Sequence, residues 1–210
     1  MSMLHLYDAP RAPSPRRVRI FLAEKGITVP TTALDLGKGE QFSAEYRAIN
    51  PGCTLPALVL PDGRVIANSH AICRYFEGTH PEPPLMGRDP VEQAQIEQWT
   101  HQIEEQGYQA AATFLRHTRP AFAERSIPGV RGGFPQIAAL GDHAKRLLTR
   151  LLASADTQLS AHRFLTGETF TMADIALLIA LDFGKRMEVE RPAHVQRWYV
   201  EVSARPSAQA

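Results

Sequence analysis

The sequence predicts a small mixed α/β domain followed by an all-helical one. Three observations carry this. From Leu4 to about Glu77, short strand-like runs alternate with short helical ones. From Asp89 onward only helical periods occur. Between them Thr79 to Gly87 (THPEPPLMG) holds three prolines, the composition of a stiff linker. The expected division is a first domain over residues 1–80, a linker over 81–88 and a helical domain over 89–210. At 210 residues the chain suits one large domain or two small ones.

The elements follow in order. Leu4 to Tyr7 makes the first strand. Ser14 as N-cap and Pro15 at the first helical position announce a helix with Val18, Phe21 and Leu22 as its apolar stripe and Gly26 at its stop. A strand near Thr31 to Leu36 precedes a short helix after Ser43, ended by Asn50-Pro51-Gly52. Ala57 to Leu60 and Arg64 to Ala67 flank Pro61-Asp62-Gly63, a hairpin signal. A third helix starts at Ser69 and buries Ile72, Tyr75 and Phe76. This order suits a mixed sheet with one parallel crossover and one hairpin.

In the second half, Asp89-Pro90 and Glu92 form a capping box for a long helix carrying Ile96, Trp99, Ile103 and later Phe114. A Gly/Pro-rich stretch, Arg119 to Phe134, leads to another helix with the stripe Ile137, Leu140, Ala144, Leu147, Leu151, Ala155. Thr171 and Asp174 box the next helix, with Phe170 and Ile175 as a hydrophobic staple. That helix is apolar nearly all round, so it is expected at the centre of a bundle. A last helix carries Val195, Trp198, Tyr199 and Val202.

Composition excludes several function classes. With 23 Lys+Arg against 22 Asp+Glu the net charge is +1, which gives no general attraction to nucleic acid or an anionic membrane. Apolar content of 44% with 21% charged residues is ordinary globular composition. The longest apolar run, Ile175 to Leu181, is far short of the roughly 20 residues that span a bilayer. The N-terminus shows no signal-peptide pattern, and Cys53 and Cys73 make no disulfide framework, so a reducing, cytoplasmic setting is expected. The eight histidines never form a zinc-type cluster, and no metal is expected.

Three segments in this order and spacing, SPRRVRIFLAEKGI (Ser14 to Ile27), INPGCTLPALVLPDGRVIANSHAICRYFE (Ile49 to Glu77) and TFTMADIALL (Thr169 to Leu178), give the chain a specific likeness. It resembles the cytosolic glutathione transferases, the bacterial branches most. The resemblance implies a thioredoxin-like N-terminal domain, a helical bundle after it, glutathione as co-substrate and a homodimer. It implies an enzyme that directs the glutathione thiolate at a small electrophile, as in detoxification. A glutathione-dependent disulfide reductase, and a non-enzymatic binding or regulatory protein of the same fold, are the alternatives.

Glutathione is an extended peptide with a thiol, two carboxylates and an ammonium, and three features suit it. At Leu55-Pro56 a cis bond, which the resemblance implies, would turn the Leu55 backbone outward to pair with an added strand. An ordinary trans proline at a strand start is the plain alternative. At Asn68-Ser69 a helix N-terminus offers a carboxylate site for the γ-glutamyl end, or simply a cap. The family usually has Glu, Asp or Gln where Asn68 stands, to meet the ligand's ammonium; Glu104 or Glu105, from a partner subunit, is a substitute. Ser14 can hydrogen-bond a thiolate at a helix N-terminus, with Tyr7 as the fallback and N-capping or core packing as the respective plain roles.

By resemblance Gln41 meets the glycine end, and Thr54 stands where some classes place a lysine, for which Lys38 can substitute. Cys53 lies next to this site, either as a partner for a mixed disulfide or as an inert thiol. Arg11, Arg16, Arg17 and Arg19 make a basic cluster, most of it expected on a solvated face. Tyr108, Phe114 and His117 are the candidates for a co-substrate pocket.

Overall fold

A computed structural model describes residues 4–130, 132 and 134–210. The chain forms two compact units that divide between Pro83 and Pro84.

The first unit contains β1 (His5–Asp8), α1 (Pro13–Glu24), β2 (Thr31–Ala33), α2 (Ala44–Ile49), β3 (Ala57–Val59), β4 (Val65–Ile66) and α3 (Ser69–Thr79). The sheet order is β2-β1-β3-β4, with β1 parallel to β2 and the other pairs antiparallel. This is the crossover and hairpin expected from the sequence. The helices α1 and α3 pack on each other. Val18, Phe21, Ile72 and Phe76 from them, with Leu6, Ala57 and Leu58 from the strands, are almost wholly buried and form this unit's core.

The start of α3 is the expected one, at Ser69, but that of α1 differs. Ala12, not Ser14, is the N-cap of α1, in extended conformation with no side-chain cap, and Pro13 opens the helix. Each of Pro13 and Pro15 fits a first turn, where the N–H has no intrahelical acceptor, and Pro13 holds the residue before it extended. The start therefore moves upstream and Ser14 becomes the second helical residue. At α3 the cap is Asn68, whose Oδ1 accepts from His70 and Ala71 N–H (2.9 and 3.2 Å), so Ser69 is the first helical residue.

Most of the basic cluster is also not a solvated face: Arg11 is exposed, but Arg16 and Arg19 are half-buried. Arg17 is 3% exposed, and Arg19 binds both Asp8 oxygens from one nitrogen (2.7 and 2.9 Å) while its other reaches Pro10 O (2.9 Å). Nearby, the buried Lys25 ammonium donates to His80 O and Pro83 O (both 2.7 Å) and pairs with Glu77 at 2.8 Å. That lysine fastens the proline-rich segment after α3 back onto α1.

The second unit contains α4 (Pro90–Ile103), a π-helical turn (Glu104–Tyr108), α5 (Gln109–Thr118), α6 (Ala139–Ala161), α7 (Met172–Phe183) and α8 (Ala193–Ser203). Asp89 caps α4, but Glu92 reaches Arg88 N–H (2.9 Å) rather than the Asp89 amide, one residue beyond the box expected. The π-helical turn falls where helices press closely: a Cβ on Gly107 would lie 2.9 Å from Leu151 Cδ2 and 3.0 Å from Ala180 Cβ. The expected stripe of α6 holds at Ala144, Leu151 and Ala155. Ile137 lies ahead of the helix and is exposed, and Leu148, Leu152 and Leu159 are buried instead of Leu140 and Leu147. Extending the period through a residue outside the helix turned the predicted stripe.

Every residue of α7 from Met172 to Leu181 is buried, so it is the centre of its unit. Its first turn rests on Asp174, which is fully buried and accepts from Leu165 N–H (3.1 Å), Thr171 N–H (3.0 Å) and Trp198 Nε1–H (2.8 Å). Burial pushes its carboxyl up to about 6. Among the described residues no helix is long and apolar enough to cross a membrane.

Asp174→Ala strands three buried donors at about 1–3 kcal/mol each, so urea unfolding should show a loss of at least about 3 kcal/mol. A loss below about 1 kcal/mol would mean that this junction relaxes at little cost.

Candidate functional site

The candidate residues of the first unit collect at one end of the sheet. Register places them there: Tyr7 near the end of β1 pairs with Ala57 at the start of β3, so the Leu55–Pro56 segment and the β1–α1 loop leave the sheet side by side. The Leu55–Pro56 peptide is cis, as the resemblance implies.

Two side chains that the sequence did not single out hold this segment. Tyr46 on α2 donates from its hydroxyl to Thr54 O (2.5 Å), and Asn50 Nδ2 donates to Thr54 O (2.8 Å) and Thr54 Oγ1 (3.2 Å). Burial pushes the Tyr46 hydroxyl up to about 12, so it remains a donor at any physiological pH. The Tyr7 ring rests against Tyr46, with centroids 5.5 Å apart. The carbonyl of Thr54 is thus doubly satisfied. The N–H and C=O of Leu55, half-buried beside it, have no hydrogen-bond partner among the described residues. Cys53 precedes them, buried and with a positive φ of 51°; its sulfur lies 3.6 Å from Pro51 O. Gln41, in a short 3₁₀ turn before α2, is 6% exposed, and its Oε1 is buried with no hydrogen-bond partner among the described residues.

On the helical side, Ser14 is half-buried in the first turn of α1, and Arg17 lies one turn on, a spacing that puts both on one side of the helix. Arg17 Nη1 donates to the hydroxyl of Ser69, 3.0 Å away at the start of α3. Both partners of this bond are buried. The sequence placed Arg17 in a basic cluster without showing that it is the buried member, because one arginine among four gives no sign of which is buried. Lys38 is exposed and 4.0 Å from Asp35.

The three candidates of the second unit face different neighbours. The Tyr108 ring meets Phe183 at 5.3 Å, Phe114 has the Lys145 ammonium over its ring at 5.4 Å, and His117 Nδ1 accepts from Ile137 N–H at 3.1 Å. Tyr108 belongs to the π-helical turn and the other two to α5. On the same turn Glu104 accepts from Gln109 Nε2 (3.4 Å), and Glu105 lies 3.3 Å from His101 Nε2.

A four-stranded mixed sheet with a cis-proline strand start, followed by an all-helical unit, is the thioredoxin-like arrangement of a glutathione-dependent transferase. Comparison with known proteins agrees. The glutathione S-transferase N-terminal domain family matches residues 12–79, and its C-terminal domain family matches residues 110–206. Glutathione S-transferase 2 of Saccharomyces cerevisiae is 30% identical over 96% of this chain and 86% of its own. Among solved structures, a glutathione S-transferase domain-containing protein of Marinobacter aquaeolei is 33% identical. It superposes with a TM-score of 0.86 over 97% of this chain and 98% of its own. Gtt2 of Saccharomyces cerevisiae is 28% identical, with a TM-score of 0.85 over 98% of each chain. The chain belongs to the glutathione S-transferase family and is a glutathione transferase.

Tyr46→Phe removes one of the two donors on Thr54 O. It should cost about 1 kcal/mol in chemical denaturation and weaken glutathione binding several-fold by calorimetry, through loss of one hydrogen bond. Unchanged glutathione affinity would take Tyr46 out of the support of this segment.

Proposed function

We propose that this chain binds glutathione along its first unit and forms the reactive thiolate beside Ser14. The observation that carries the proposal is Leu55. Its backbone donor and acceptor lack partners among the described residues, while the carbonyl just before them takes two donors. A backbone group left open next to one that is held rigid is what an extended peptide needs in order to add itself as a strand.

The rest of the ligand follows from that placement. Its glycine end runs toward Gln41 and Thr54, and its γ-glutamyl carboxylate reaches Ser69. Asn68 spends its side-chain oxygen on its own helix, so it is poorly suited to receive the ammonium. The thiol lies toward the first turn of α1, which no side chain caps. A helix N-terminus and the Ser14 hydroxyl both favour the anion over the neutral thiol. Lowering the thiol pKa from about 8.5 by about two units requires about 2.7 kcal/mol of differential stabilisation, within reach of one charge-assisted hydrogen bond plus the helix terminus.

The chemistry is then a displacement. The thiol proton passes to solvent, the sulfur lone pair forms the new bond to the electrophilic atom, and the leaving group departs with its electron pair. Tyr108, Phe114 and His117 remain the proposed walls for the electrophile, a small molecule whose identity the helical unit selects. A cytoplasmic homodimer completes the reading, on the strength of the family alone.

Ser14→Ala should slow turnover at saturating glutathione by about 10- to 100-fold, the equivalent of one hydrogen bond to a charged group. Thermal stability should fall by no more than about 1 kcal/mol, the scale of one hydrogen bond. Equal saturated rates would transfer the thiolate contact to Tyr7 or to backbone N–H groups.

A further inference from the structure

The α3 N-terminus is a weaker anion site than its position suggests. Three amides open this helix, and Asn68 already accepts from two of them, at His70 and Ala71. What the first turn retains for a ligand is the Ser69 N–H and the Ser69 hydroxyl. A hydroxyl has one proton and two lone pairs. Arg17 fills one lone pair from a buried guanidinium, so the hydroxyl proton must point away from Arg17.

We infer that Arg17 is the positioning residue for the γ-glutamyl carboxylate: it orients the Ser69 hydroxyl as a donor and supplies the positive charge that the capped helix start lacks. This rests on the glutathione site proposed above and adds a residue to it. A hydroxyl that accepts from a cation is polarised and donates more strongly in turn. A guanidinium behind it in a buried setting acts on an incoming anion with little screening. No neighbouring thiolate competes for that charge: Cys73, one turn along α3, is fully buried, and burial pushes its thiol up to about 12, so it stays neutral.

The competing explanation is that Arg17 is only a brace between α1 and α3. The two roles separate by ligand. A brace affects every part of glutathione, whereas the proposed role concerns one carboxylate. The test is calorimetric titration of the full chain with glutathione and with γ-aminobutyryl-cysteinylglycine, which lacks only that carboxylate. Wild type should prefer glutathione by about tenfold or more, the scale of one charged hydrogen bond. Arg17→Met should bring glutathione down to the analogue's affinity and leave the analogue's own affinity little changed. Arg17→Lys should recover part of the preference, because the charge returns without the planar fork.

An intact preference in Arg17→Met, or an equal loss for both ligands, overturns the inference. If Arg17→Met does not fold, Ser69→Ala decides: the preference must vanish there, since Arg17 acts through that hydroxyl, and a preference that persists is contrary. Failure of wild type to bind either ligand would instead remove the glutathione site itself.

Discussion

One buried hydrogen bond, from Arg17 to Ser69, links the two helix starts at which the candidate site lies. It joins the beginnings of two helices far apart in sequence, and α1 carries Ser14 one turn before it. Burying a guanidinium costs several kcal/mol unless hydrogen bonds are supplied at good geometry, so such a group tolerates little movement. The neighbouring Asp8–Arg19 pair does similar work for the β1–α1 loop, since Arg19 also holds Pro10 O. Charged side chains therefore fix the loop and the two helix starts, and the sheet fixes the strand from which the loop departs.

The polar support is local and redundant in the first unit and concentrated in the second. Thr54 O has two donors from α2 and its C-cap, so the segment leading to Leu55 is held from one side and left open at the next residue. In the helical unit one carboxylate, Asp174, gathers donors from Leu165, Thr171 and Trp198, tying the entry of α7 to α8. Around it α7 has no solvated face. The first arrangement leaves a backbone edge open beside a held one; the second builds a buried centre.

The fold was largely legible in the sequence because apolar period and turn chemistry are local signals. The hairpin at Pro61-Asp62-Gly63, the short helix after Ser43, the Thr171–Asp174 box and the burial of α7 all follow from residues within a few positions of each other. The misses have physical causes. The sequence puts the cap of α1 at Ser14, two residues late, because proline geometry at Pro13 outweighed the capping preference of Ser14. The π-helical turn before α5 depends on how closely Gly107 approaches Leu151 and Ala180, which no local pattern encodes. Arg17, Asp8 and Lys25 were hidden because a charge in a sequence suggests solvent, and only the fold reveals a partner. In the site, Leu55-Pro56 and Ser69 were visible through family likeness, whereas Tyr46 and Asn50 looked like ordinary helix and turn residues.

The central claim is that the first unit binds glutathione and stabilises its thiolate. It is tested most directly by following thiolate absorbance of glutathione against pH in the presence of excess protein. The account predicts a midpoint well below the free-thiol value of about 8.5. A midpoint that stays at the free value, in a sample shown to be folded and to bind glutathione, would contradict it.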